Sequence, residues 1–302
     1  MIIPKYLKKG DKIAIVSPAG KITGDRLENA RKVLEKWGLT VVFGRNVLNQ
    51  HHQFAGTDEQ RAADFQEMLD DHTIDAILCS RGGYGSVRII ERLDFSKFLK
   101  NPKWIIGFSD ITLFHALLNQ KYRIASVHGI MPKNFPKDIA ENDAAESLKT
   151  ALWGKKIHYK VPSSKWNRQG KCSGEIMGGN LAILYSLNST PYEINPAGKI
   201  LFIEDINEYL YQIDRMMNTF KMSGKLAGLA GLVVGGMTNL KDNDTPFGKI
   251  AQEIIQEAVA EFHYPVCFDF PAGHINGKNR ALIFGKKADL KVDTDHTLLD
   301  FE

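Results

Sequence analysis

Cysteine is scarce in this chain: Cys79, Cys172 and Cys267 are the three in 302 residues. They are odd in number and far apart, so they frame no disulfide-stapled fold and form no C-x-x-C pair, and a reducing, cytosolic setting is expected. No apolar run approaches the roughly 18 residues that a membrane helix needs, so no membrane partner is expected. The opening stretch "MIIPKYLKKGDKIAIVSPAG" has no A-x-A-like cleavage site and runs straight into fold elements, unlike a signal peptide. Neither sign of charge dominates. The 39 basic residues stand against 35 acidic ones, a net +4 with no long basic block, which speaks against a nucleic-acid partner. Also missing are H-E-x-x-H, the P-loop pattern, and G-x-G-x-x-G after the first apolar run, so no metal site or nucleotide loop is indicated.

What is present is a regular alternation. The β-rich runs "KIAIVS", "TVVFG", "IDAILCS" and "WIIGFS" alternate with the helical patterns "RLENARKVLEKWG", "TDEQRAADFQEMLDD", "GSVRIIERL" and "ITLFHALLNQ". This predicts βαβ units, hence an α/β fold with a parallel sheet covered by helices on both faces. With "RIASVHG" as its last strand, a first domain is expected over 1–135. A linker region over 136–170 follows, carrying the helix "DAAESLKTALWG". A second, smaller, β-rich mixed α/β domain is expected over 171–302. Ligands of such parallel sheets gather at the carboxyl ends of the strands. Three loops fall there: "SPAG" at 17–20, "SRGGYG" at 80–85 and "GFSD" at 107–110.

"GFSD" has the G-x-S portion of a nucleophile elbow, without the motif's second glycine. Ser109 therefore has two readings, a helix N-cap or a nucleophile whose developing oxyanion would find the free amide of Asp110. A nucleophile needs a base and an orienting carboxylate. Of nine histidines, His115 is about 9 Å along the same helix at 1.5 Å per residue, too far for a direct bond. His128, ending a strand, and His274, in the Gly- and Asn-rich loop "FPAGHINGKNR", remain, with His274 favoured because such loops present functional groups. Glu204 closes the apolar strand "KILFIED", where a carboxylate must find a partner or shift its pKa. Asp205 and Glu208 read more simply as the start of the next helix. Gly82, Gly83 and Gly85 allow close approach of a ligand, either as a phosphate cradle or as an oxyanion-hole wall with Gly83 as donor. Arg81 is a candidate for a substrate carboxylate, and Cys79 reads as a small apolar strand residue against a competing reading as a thiol nucleophile.

With these residues in view, the chain resembles the LD-carboxypeptidases, serine peptidases that trim murein peptides. The resemblance rests on "VSPAG", "FAGTDEQRAADF", "SRGGYGSVRIIERLD", "GFSDITLFHALL", "MGGNLAIL", "TPYEINPAGKILFIEDINEYLYQIDRM" and "GHINGKNRALIFGKKADL", in the family's order. It implies Ser109 as nucleophile, His274 as general base, Glu204 as its orienting acid, and an oxyanion hole from the Gly83 and Asp110 amides. Arg81, Gly82, Phe108 and Asn180 are carried forward as substrate contacts. The first domain would resemble the flavodoxin-like sheet of class I glutamine amidotransferases. The implied activity is release of the terminal D-alanine from murein tetrapeptides, by a cytoplasmic homodimer that uses no cofactor. A related branch cleaves peptide-nucleotide antibiotics and aminoacyl nucleotides. Ile283 and Leu210 stand where the family often has proline, and neither position supplies a reacting group.

Overall fold

The computed structural model describes residues 1–136, 142–275 and 277–302. These residues form two sheets from strands β1 (Lys12–Val16), β2 (Thr40–Phe43), β3 (Ala76–Cys79), β4 (Trp104–Gly107), β5 (Ser126–His128), β6 (His158–Pro162), β7 (Gly170–Asn180), β8 (Ile200–Ile206), β9 (Gly231–Thr238), β10 (Val266–Cys267), β11 (Leu282–Phe284), β12 (Lys287–Val292) and β13 (His296–Phe301).

The first sheet has the order β11-β5-β4-β3-β1-β2. β1 to β5 are mutually parallel, and β11 is antiparallel at the edge. All residues of β3 and β4, and all of β1 but Lys12, are buried, as expected of strands with helices over both faces. The helix Asp58–Asp70 starts at a capping box: Thr57 Oγ1 accepts the Gln60 amide, and Gln60 Oε1 accepts the Thr57 amide. The parallel order 2-1-3-4-5 is that of flavodoxin-like sheets, whose strand order reverses between β1 and β3, and ligands bind outside that switch point. There Ser17 Oγ and Ser80 Oγ lie 2.6 Å apart, and Ser17 donates to the Val47 carbonyl at 2.8 Å. This ties the ends of β1 and β3 together.

The second sheet has the order β10-β9-β8-β7-β12-β13-β6. β7 to β10 pair in parallel, and β12, β13 and β6 are antiparallel. Two strands depart from the expected division of the chain. β6 lies within 136–170, which therefore holds an edge strand as well as the expected helix (Asp143–Leu152). β11 lies within 171–302 but joins the first sheet, with Leu282 opposite His128 and Phe284 opposite Ser126. β6 alternates exposed and buried residues over five positions, whereas β11 is only three apolar residues, which carry no periodicity that distinguishes a strand from a buried loop. The second departure has a functional consequence. The chain leaves the second sheet at β10 and enters the first at β11, so the segment bearing His274 connects the two sheets.

One apolar cluster runs through both sheets, from Phe65 and Phe114, stacked at 4.5 Å, through Phe108 to Leu181, Leu201 and Ile203. Among the described residues, no helix is long and apolar enough to cross a membrane.

Candidate active site

At the end of β4 the chain turns sharply into a helical segment that begins at Ser109. Ser109 has φ +65°, a left-handed conformation that costs a non-glycine residue about 1–3 kcal/mol. Ile111 stands where an elbow motif would carry its second glycine, and its side chain covers the Cα of Gly107. A simple N-cap serine adopts extended backbone and accepts an amide with its side chain. The residue in the extended cap position here is Phe108, and no side-chain cap bond forms. The strand-to-helix corner therefore has the geometry of a nucleophile elbow.

Glu204 lies where β8 has an irregular register with β9, between Ile203 and Asp205. Such bulges re-aim side chains, and here they let both consecutive acids be buried, Glu204 completely. Glu204 Oε2 accepts two bonds from His274, from Nδ1 at 2.6 Å and from the backbone amide at 3.1 Å. An ionised carboxylate only accepts, so Nδ1 carries the proton and the neutral ring keeps its lone pair on Nε2, the tautomer of a general base. Gly273 makes this fit possible: a Cβ there would lie 2.7 Å from the Glu204 side chain. The His274 carbonyl accepts from Thr238 Oγ1 at 2.9 Å, and Asn279 Oδ1 accepts the Gly273 amide at 2.7 Å. The imidazole packs on the Phe108 ring at 4.8 Å between centroids. Because Phe108 immediately precedes Ser109, the imidazole sits beside the elbow.

The glycine loop packs on the elbow itself. A Cβ on Gly82 would lie 2.9 Å from Ser109 Oγ and 3.2 Å from the Asp110 amide nitrogen, so the Gly82 backbone packs directly on the elbow, while Gly83 lies against Gly20 and Arg81. The Asp110 amide belongs to the first turn of a helical segment, whose donors have no partner within the helix. The Asp110 carboxylate, without a role in the sequence reading, accepts the Ser86 amide at 2.8 Å and caps the short helix after the glycine loop. Burial pushes its pKa up.

Arg61 is a residue that sequence reasoning missed. It is buried, donates to the carbonyls of Gly85 (2.9 Å) and Pro18 (2.5 Å), pairs with Asp58 and lies over the Phe54 ring. It thereby holds the first two strand-end loops in register. Its only signal was its place in "TDEQRAADF", where it is the one basic residue of the helix Asp58–Asp70.

Of the expected substrate contacts, Arg81 donates from Nη1 to the Lys21 carbonyl at 2.8 Å, bracing the 17–21 loop. Phe108 is buried and walls the imidazole. Asn180 is committed elsewhere: its amide donates to Thr112 Oγ1, its Nδ2 to Asp205, and its Oδ1 accepts the Ile183 amide. That set of bonds docks the helix after β7 against the elbow's helix. Asp205 does not start the following helix, as its position in the sequence suggested. It accepts from Asn180, Ala182 and Ile206, and burial together with the neighbouring Glu204 charge raises its pKa to about 7.

The rivals are set apart by burial. Cys79 is sealed within β3, where burial pushes its thiol pKa far up, the reverse of an activated nucleophile. His128 is fully buried among Phe108, Phe202 and Phe284, and burial and two neighbouring histidines push its pKa well down. His115 is also buried, bonded to Ser126 Oγ and the Gly107 carbonyl at 2.9 Å each, with a pKa lowered by burial to about 4. Both stay neutral in the folded protein. In the unfolded chain each takes up a proton near pH 6.5. Stability is therefore retained above pH 6.5 and lost as the pH falls toward 4, by on the order of 3 kcal/mol for His115. Urea unfolding of wild type and His128→Phe between pH 7.5 and 4.5 should show a shallower decline in the variant. Parallel curves would contradict it.

A flavodoxin-like sheet joined to a second mixed sheet, with a strained serine at a strand end beside a carboxylate-held imidazole, is the frame of a serine-type hydrolase. Residues 13–129 match the LD-carboxypeptidase N-terminal domain and residues 173–290 the LD-carboxypeptidase C-terminal domain. The chain is 36% identical to a Bacillus subtilis protein named probable murein peptide carboxypeptidase, over 96% of this chain and 91% of that one. It is 30% identical to the murein tetrapeptide carboxypeptidase of Pseudomonas aeruginosa, over 93% of each. It therefore belongs to the LD-carboxypeptidase family of serine-type peptidases. The crystal structure of muramoyltetrapeptide carboxypeptidase from Oxalobacter formigenes superposes with a TM-score of 0.86 at 29% identity, covering 96% of this chain and 98% of that one. A microcin self-immunity protein shares the fold, with a TM-score of 0.88 at 21% identity and 100% and 99% coverage.

Proposed function

We propose that this chain is a serine carboxypeptidase that releases the terminal D-alanine of murein tetrapeptides by cleaving an L-D amide bond. The observation that carries the reading is the His274 imidazole, bound to buried Glu204 at 2.6 Å and packed beside the Ser109 elbow. Ser109 Oγ attacks the carbonyl of the third peptide residue while His274 Nε2 takes its proton. The oxyanion falls to the Gly83 and Asp110 amides, each donor worth roughly 3 kcal/mol in such holes. His274 then protonates the departing D-alanine nitrogen. A water, deprotonated by the same imidazole, releases the acyl group. Throughout, Glu204 fixes the tautomer and stabilises the imidazolium.

Three unpaired cysteines, two of them buried, support placing this activity in the cytoplasm, where thiols stay reduced. The test is D-alanine release by the purified protein from L-Ala-γ-D-Glu-diaminopimelate-D-Ala, its lysine counterpart and an aminoacyl nucleotide. Release from a tetrapeptide is expected. Hydrolysis of the nucleotide conjugate alone would replace this reading with that of an aminoacyl-nucleotide amidase.

A further inference from the structure

The cleft onto which His274 opens is lined by Phe108, Asn279, Arg26 from the helix Gly24–Lys36, and Lys133 and Asn134 from the turn after β5. Its described lining residues include two cations, Arg26 and Lys133, and no carboxylate. Arg26 and Lys133 take part in no ion pair among the described residues. Asp143, on the helix beside this cleft, is taken by Arg280 at 3.1 Å. The Lys133 amide donates to the Ser80 carbonyl at 3.1 Å, which fixes the turn over the end of β3. Two cations therefore line one opening, and burial together with the charges of Arg81 and Arg26 pushes the Lys133 pKa down. Like charges repel, and an arrangement of this kind is stabilised when an anion joins it.

The mechanism says which part of a substrate comes here. An imidazole that takes the serine proton must return it to the leaving nitrogen, so the leaving group lies against the open side of His274. The Gly82 backbone packs against Ser109 and the Asp110 amide instead. The cleft beyond His274 therefore receives the leaving amino acid, and in a carboxypeptidase that residue ends in a free carboxylate.

We infer that Arg26 and Lys133 bind the terminal carboxylate of the leaving amino acid and thereby restrict cleavage to the last peptide bond. The inference rests on the carboxypeptidase reading above. It also moves this task from Arg81, whose guanidinium braces the neighbouring loop. A charge-assisted hydrogen bond contributes about 1.5–3 kcal/mol, which corresponds to roughly 10- to 100-fold in kcat/KM per cation.

The experiment compares a tetrapeptide ending in free D-alanine with the same peptide ending in D-alanine amide. Wild type should prefer the free acid. The acid-to-amide ratio of kcat/KM should fall about 10-fold in Arg26→Met and in Lys133→Met, fall further in the double variant, and largely survive in Arg26→Lys, each with an unaltered melting temperature. If wild type releases D-alanine but every variant keeps its ratio, the inference is overturned and the carboxypeptidase reading stands. If wild type cleaves no tetrapeptide, the carboxypeptidase reading fails instead. The site is then judged by ligand-observed NMR with N-acetyl-D-alanine and its amide. Preferential binding of the acid that is lost in the double variant supports the cation pair, and equal binding of acid and amide to wild type overturns it.

Discussion

Ser109→Ala should lower turnover by about a million-fold, as loss of the nucleophile does in other serine hydrolases, while the protein stays folded. Alanine meets the same φ of +65° and adds no atom to the crowded corner against Gly82. Ser109→Gly separates the two roles of the position further. Glycine tolerates left-handed backbone, so this variant should be equally inactive yet more stable by about 1 kcal/mol. Turnover on the tetrapeptide, read with melting temperatures of the three proteins, checks both statements. An alanine variant within tenfold of wild-type turnover would remove Ser109 from the mechanism.

Glu204→Gln should be the second large loss, about 10,000-fold in turnover, the magnitude seen when the orienting carboxylate of a serine triad becomes an amide. Oε2 receives two N–H groups of His274. An amide presenting its NH₂ to Nδ1 would draw the ring into the opposite tautomer, with the proton on Nε2 and no lone pair for Ser109. Fold stability should hardly fall, because the buried carboxylate is costly in itself: Oε1 has no hydrogen-bond partner among the described residues, and a neutral side chain of equal shape lowers the desolvation cost. A parallel drop in turnover and in melting temperature would instead make Glu204 a structural residue. Glu204→Asp distinguishes these further, since the shorter carboxylate keeps the charge but draws away from Nδ1.

Much of this site was legible in the chain because it depends on strand ends. The runs "WIIGFS" and "KILFIED" mark β4 and β8, one in each sheet, and ligands gather at the carboxyl ends of parallel strands, so Ser109 and Glu204 could be nominated without coordinates. His274 was harder. Its loop owes its position to β11, three residues that join the first sheet after a chain that had been building the second, and no local pattern announces a long-range pairing. The polar scaffolding was less legible still. Arg61 and Asp110 act through backbone atoms of Pro18, Gly85 and Ser86, and sequence spacing carries no trace of such bonds. Asp205 shows the limit in reverse: an acid before a helix suggested an N-terminal role, but the irregular register at Glu204 turned it toward the helix after β7. The cations of the cleft, Arg26 and Lys133, come from segments more than a hundred residues apart, and only the fold brings them to one opening.

The central claim is that Ser109 is an activated nucleophile and not merely a residue at a helix start. The most direct measurement is intact-protein and peptide mass spectrometry after treatment with a fluorophosphonate, because an unactivated serine does not react. One phosphonyl group on the peptide carrying Ser109, absent from Ser109→Ala and slowed by Glu204→Gln, is the predicted result. Labelling elsewhere, or an unmodified protein that nonetheless releases D-alanine from the tetrapeptide, would contradict it.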